Sequence, residues 1–181
     1  MQVGKLVIDA AISIDGFWAD ESGESVFPVN EMHDAGLVTE LVERTGAVIM
    51  SQRSFEMVDD PDWYAGNYEL QVPIHVVTDT PPSRHPKEDC GLTFTFVSTF
   101  FKALSCARAV SGTKDILVIG EKSIVESALT SGQVDEIYLR LVAKTLGAGT
   151  KLIDVPGIVP QNFRIANVRT SKTTVHMLLV K

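Results

Sequence analysis

The chain has 181 residues, 45% of them hydrophobic and 22% charged, which suits one domain over 1–181 with a sizeable core. Its net charge of -7, spread along the chain, excludes the basic stripe that a nucleic-acid surface requires. No apolar run approaches the ~18 residues that span a bilayer, Cys90 and Cys106 lack a metal-ligand spacing, and the start of the chain makes a poor secretory leader, so a cytoplasmic protein with free thiols, no metal and no membrane partner is expected.

Lys5 to Ile14 reads as a buried strand that Asp15–Gly16 ends. A polar loop follows through Asp20 to Gly23. Asn30 suits a helix cap, and Leu37, Val38, Leu41 and Val42 then mark one face of a helix. Gly46 suits the C-cap of that helix, and Ala47 to Met50 suits a buried parallel strand. A short helix is predicted near Arg53. Pro61 and the Trp63–Gly66 stretch read as a loop. Ile74 to Thr78 is a strand stopped by Pro81–Pro82, and Leu92 to Val97 is another.

Ser98 or Thr99 caps the next helix, with Phe100, Phe101, Leu104 and Ala107 on one face. Asp115 to Ile119 is a strand. The helix over 121–131 carries Ile124, Val125, Ala128 and Leu129 inward. Asp135 to Ala143, Phe163 to Thr170 and Thr173 to Val180 read as strands, the last two forming a hairpin around Ser171–Lys172. This order predicts a three-layer α/β fold with a mixed, mainly parallel central sheet, helices on both faces and an antiparallel C-terminal hairpin. The apolar run Met177–Val180 suits pairing across a two-fold axis, so a homodimer is expected.

Several segments carry the functional signal. Ser13–Ile14–Asp15–Gly16 is a tight turn after the first strand. Met50–Ser51–Gln52–Arg53–Ser54–Phe55 leads a strand into a helix. Thr78–Asp79 ends another strand, and Ile116–Gly120 with Glu121 places a glycine between a buried strand and a helix N-terminus, where backbone N–H groups can meet a phosphate. Val134–Ile137 and Leu146–Gly149 follow. In this order and spacing the segments resemble the dihydrofolate-reductase-like superfamily. More closely, they are similar to the reductase domain of bacterial riboflavin biosynthesis and its stand-alone relatives, over nearly the whole chain.

The resemblance implies a hydride transfer from NADPH to a small pteridine- or pyrimidine-like heterocycle. It places the cofactor against Ala11, Trp18, Gln52, Arg53, Ser54, Thr78, Asp79, Gly120, Glu121, Ser123 and Ile124, and the substrate against Asp15 and Phe17. A carboxylate at Asp79 repels a 2′-phosphate and accepts from a free 2′-hydroxyl, so NADH becomes the preferred nucleotide unless Arg84, His85 or Lys87 folds back. Hydride transfer also needs a proton source. Asp9 interrupts an apolar strand with the same parity as Ala11, so burial there would let it hold a proton. Asp34, near the start of the first long helix, is the second catalytic candidate, and His33 a weaker one. His75 reads as a hydrogen-bonded core residue, and His176 as facing away from Val175 and Met177.

The chain lacks His-x-Glu with a paired Cys-x-x-Cys, the zinc deaminase signature. Ser51, Gln52, Asp79 and Glu121 depart from the family's phosphate grip. They keep a second reading open, a non-catalytic nucleotide- or ligand-binding paralogue on the same scaffold.

Overall fold

The computed structural model describes residues 4–27, 37–154, 158 and 160–181. Eight strands form one sheet: β1 (Leu6–Ser13), β3 (Thr45–Ser51), β4 (Ile74–Val77), β5 (Phe94–Val97), β6 (Asp115–Ile119), β7 (Glu136–Val142), β9 (Arg164–Thr170) and β10 (Thr174–Val180), in the order β5-β4-β3-β6-β1-β7-β10-β9. From β5 across to β7 every pairing is parallel, and β10 then pairs antiparallel to both β7 and β9. A second, two-stranded sheet joins β2 (Phe17–Ala19) to β8 (Thr150–Lys151). At three residues, β2 is too short to show a strand period in the sequence.

The central strands are buried on both faces, which is why β6 and β3 read as unbroken apolar runs. On one face lie α4 (Phe100–Val110) and α5 (Lys122–Thr130), packed on Leu6, Ile8 and Ala10 of β1. On the other, Val7, Val48 and Leu117 meet Leu41 of α1 (Leu37–Arg44), Phe55 of α2 (Gln52–Phe55) and Tyr64 of α3 (Tyr64–Asn67). The alternation of β1 thus sends even-numbered side chains to one helical layer and odd-numbered ones to the other. Those odd-numbered positions include Asp9.

Helix boundaries follow local chemistry. Thr99 caps α4 by accepting from Lys102 N at 3.3 Å. In α4 it is Phe100, Ala103, Leu104 and Ala107 that are buried; Phe101 is 62% exposed, one position off the inward stripe expected for it. All four inward residues expected in α5 are buried. Gly46 lies inside β3 rather than at a helix C-cap, because α1 passes directly into the strand at Thr45. The segment expected as a loop near Pro61 contains a 3₁₀ turn (Pro61–Trp63) and the single turn of α3.

An ion network closes the sheet at the N-terminal ends of its parallel strands. Arg44 reaches Asp115, and its Nη2 donates to Glu136 at 2.8 Å, while Lys5 also meets Glu136. Burial lowers the Arg44 pKa, but the charges of Asp115 and Glu136 outweigh it and raise the value overall. The C-terminal ends of the same strands are left for the site. Among the described residues no helix is long and apolar enough to cross a membrane.

Candidate active site

Ligands in open α/β sheets bind outside the carboxyl ends of the parallel strands. Here a cleft of about 390 Å³ opens on that side, over β1, β3, β6 and β7. Asp9, Met50, Ile119 and Arg140 form its floor, and Trp18, Phe27, Trp63, Tyr64 and Tyr68 are among its walls. Strand register explains the floor: Met50 pairs with Ile119, Ile119 with Asp9, and Ala11 with Arg140.

Asp9 is 6% exposed and Arg140 1% exposed, and the two form an ion pair across β1 and β7. The Arg140 guanidinium lies between two aromatic rings, 4.7 Å from the Phe27 centroid and 4.4 Å from that of Tyr138. Burial lowers its pKa to about 9, so it stays charged at neutral pH. Nε of Arg140 has no hydrogen-bond partner, and Nη1 meets Asp9 Oδ1 as a charge contact outside hydrogen-bond geometry. Behind this pair, the Tyr138 hydroxyl and His176 Nδ1 are 3.1 Å apart, and His176 Nε2 lies 3.1 Å from Ser171 Oγ.

Asp9, the candidate acid, thus faces the cleft with a guanidinium beside it. Asp34 and His33 lie outside the described residues. His75 is buried as expected, but neither ring nitrogen has a hydrogen-bond partner, and burial lowers its pKa and keeps it neutral. His176 does face away from Val175 and Met177, on the Tyr138 side.

The candidate cofactor residues gather beside the cleft in two groups. Gly120 adopts a φ of 132°, and a Cβ there would stand 2.4 Å from Ser54 Oγ. That close approach brings α2 against the N-terminus of α5. Glu121 sits at the N-cap of α5 without a side-chain cap bond, and instead accepts from Ser123 Oγ. The Glu121 side chain thus leaves the first-turn N–H groups of α5 uncapped. Ile124 is a core residue packed beneath Gly120. Ser54 Oγ takes part in a 3.2 Å contact with Ser51 Oγ. In the second group, Gln52 Oε1 accepts from Thr78 Oγ and, at 3.0 Å, from Thr80 Oγ, tying the start of α2 to the segment after β4. Asp79 is exposed beside them.

Two cations expected to help are engaged elsewhere. Arg53 stacks on Trp18 at 5.0 Å and donates to Gly23 O at 2.9 Å. Arg84 pairs with Asp62 at 2.7 Å and Asp60 at 3.3 Å, while Lys87 N donates to Asp62 and His85 pairs with Glu88. None of the three folds back onto Asp79. These residues fit a nucleotide held by backbone N–H and hydroxyl donors. They do not present a charged fork.

Ala11 packs with Val26 and Val142, next to Phe27, on the same face as Asp9. Phe17 is half-buried and pairs with Lys151, 5.9 Å above its ring, away from the cleft lining. Asp15 is taken up by its own loop. Ser13 Oγ donates to it at 2.6 Å, Gly147 N at 2.7 Å and Leu146 N at 3.2 Å. The Ser13 bond first, then the Gly147 N–H, lower its pKa from 3.8 to about 2. A depressed carboxylate stabilises above its unfolded value and loses that contribution as pH falls through the folded one. The contact between the β1–β2 turn and the Leu146–Gly147 loop is therefore expected to open between about pH 4 and 2. Amide exchange at Gly147 across that range checks it. The same protection loss already present at pH 7 in Asp15→Asn is the expected control, and unchanged protection in that variant contradicts the assignment.

Arg140 and its aromatic clamp were missed. The visible signal was the alternation Glu136, Tyr138, Arg140, Val142 in β7, which places an arginine on the face that carries an apolar valine.

The sheet order, the layer of helices on each face and a cleft at the strand ends define an α/β fold of the dihydrofolate-reductase-like class. The family model of the RibD C-terminal domain matches residues 4–177, and the chain belongs to that family. Its fold is similar to that of a protein from Shewanella sp. PV-4 provisionally named a riboflavin biosynthesis protein, with a TM-score of 0.72, 16% identity and 96% of this chain and 97% of that one covered. The diaminohydroxyphosphoribosylaminopyrimidine deaminase/5-amino-6-(5-phosphoribosylamino)uracil reductase of Thermotoga maritima aligns with a TM-score of 0.70 at 15% identity, over 98% of this chain and 56% of that one. RibD of Acinetobacter baumannii aligns with a TM-score of 0.72 at 15% identity, over 98% and 58%. The chain thus spans somewhat over half the length of the last two. No curated protein matches the sequence.

Proposed function

We propose that the chain is a nicotinamide-nucleotide-dependent reductase that transfers a hydride to a small heterocycle of pteridine or pyrimidine type. The observation that supports this most is the cleft itself, which joins a buried acceptor–donor pair on β1 and β7 to a glycine-lined helix N-terminus at β6. The nucleotide supplies the hydride when bound. Gly120 lets its backbone approach, the α5 N-terminus and Ser54 meet its phosphates, and Thr78 and Asp79 stand where the ribose is expected. With Arg84 held by Asp60 and Asp62, Asp79 favours the free 2′-hydroxyl of NADH over the phosphate of NADPH. Trp18 and Tyr64 exclude water from the substrate side.

Thermal unfolding with NADH, with NADPH and without ligand tests the reading. A nucleotide at a hundred times its Kd adds about 2.7 kcal/mol, a rise of roughly 5–10 °C for a chain of this size. The rise is expected to be larger with NADH. No rise with either nucleotide replaces the reductase with the non-catalytic binding paralogue.

The sheet supports a second copy as partner. Ile137, Leu139 and Leu141 of β7, Met177 and Leu179 of β10 and Val168 of β9 share one face by register. Val168 is 50% exposed there, while Ile137 and Leu139 pack in part against the core that holds α5. A two-fold contact through this face buries the same patch on both copies. Light scattering is expected to report a dimer, and Met177→Glu to return it to a monomer. A wild-type monomer at micromolar concentration rejects the contact.

A further inference from the structure

We infer that Asp9 and Arg140 are a recognition pair for the lactam edge of an uncharged planar heterocycle, and that the cleft rejects substrates bearing a phosphate or carboxylate. This rests on the reductase reading and names its substrate class. An –NH–C(=O)– edge carries a donor and an acceptor side by side. The floor of the cleft carries the complement: a carboxylate that accepts and a guanidinium that donates, on neighbouring strands. Both groups are more than nine-tenths buried, and Arg140 Nε has no hydrogen-bond partner of its own. Phe27 and Tyr138 clamp the guanidinium plane, so its donors hold a fixed direction.

Charge decides the second half. Arg140 is the only cation among the described lining residues, and Asp9 neutralises it. Glu69 adds a further acidic group to the lining. Arg53, the cation beside Trp18, lies outside the lining and is engaged with Gly23. An anionic substituent entering this cleft meets Asp9 and a cation already paired with it, in a partly desolvated space where like charges repel strongly. The remaining walls offer flat aromatic surface, which suits a bare ring. The phosphoribosyl compound in the name of the Thermotoga reductase carries the kind of anion that these residues do not match.

A site built to hydrogen-bond a substrate edge discriminates sharply against an analogue that lacks it, because its buried polar groups are then left unpaired. Fluorescence titration at pH 7 with pterin, 3-methylpterin and pterin-6-carboxylate applies this. Pterin presents the N3–H and O4 edge, 3-methylpterin blocks the donor, and the carboxylate keeps the edge but adds an anion. Pterin is expected to bind at least about tenfold more tightly than either analogue. Asp9→Asn is expected to bring pterin and 3-methylpterin within about threefold of each other.

Equal binding of pterin and 3-methylpterin by the wild-type protein, or no binding of pterin, overturns the recognition pair. Equal or tighter binding of the carboxylate overturns the charge exclusion. The wild-type comparison needs no variant, so poor folding of Asp9→Asn leaves it intact. Nucleotide shifts measured on the same preparation separate the two claims. A shift with NADH but no pterin binding sinks the recognition pair and keeps the reductase. Pterin binding with no nucleotide shift does the reverse.

Discussion

Arg140→Leu is expected to lower unfolding stability by about 3–5 kcal/mol, the cost of leaving one member of a buried ion pair alone. Asp9 then stays 6% exposed with no cation beside it. The leucine also gives up the stacking between Phe27 and Tyr138. The measurement is the midpoint of urea unfolding at neutral pH. Adding Asp9→Asn to the same chain is expected to recover part of the loss, because the stranded charge is gone. A single-variant loss under about 1 kcal/mol shows that water reaches Asp9 and that the pair is solvated.

Gly149→Ala is expected to be comparably disruptive for a different reason. Gly149 has a φ of 131°, a conformation that side chains rarely adopt. Its added Cβ would stand 2.1 Å from Ala19 O and 2.8 Å from the Asp20 Cα. Those are backbone atoms, so no side-chain rotation relieves the contact. Strain alone costs about 1–3 kcal/mol, and the overlap displaces the β2–β8 pairing in addition. Since β2 carries Trp18, the wall of the cleft moves with it. Thermal unfolding reads the stability loss, and quenching of tryptophan emission reads the wall. An unchanged melting temperature shows that this turn relaxes independently of β2.

The legible and illegible parts of the molecule divide along a physical line. Apolar runs located β1, β3, β4 and β6, since a parallel strand buried on both faces favours such a composition. The inward residues of α5 followed from helical period alone. Asp9 stood out because it interrupts such a run, but the cation beside it could not be read. Arg140 lies 131 positions away in the chain and reaches Asp9 only through the register of β1 and β7. Arg53 shows the same limit. Its neighbours in sequence suggest a phosphate, whereas the turn after β2, 30 residues earlier, supplies Gly23 O as an acceptor. Asp15 shows a third case. Its turn was recognised, yet its carboxylate serves the Leu146–Gly147 loop, a long-range bond that no local pattern encodes.

The aromatic wall has a consequence for how a ligand is received. Tyr64 stacks on Phe55 at 5.5 Å with the rings 2° from parallel, meets Phe94 at 5.8 Å and Tyr68 at 5.2 Å, and donates its hydroxyl to the Phe55 carbonyl at 3.1 Å. Burial pushes that hydroxyl up to about 12, so it remains a donor throughout the working range. Ordering a loose side chain on binding costs about 0.5–1.5 kcal/mol, and this ring is ordered before any ligand arrives. The wall is a fixed die rather than a soft lining. A bulky substituent on that side of the ring meets a boundary that does not yield, so selection there is made by shape at first encounter and not by adjustment afterwards.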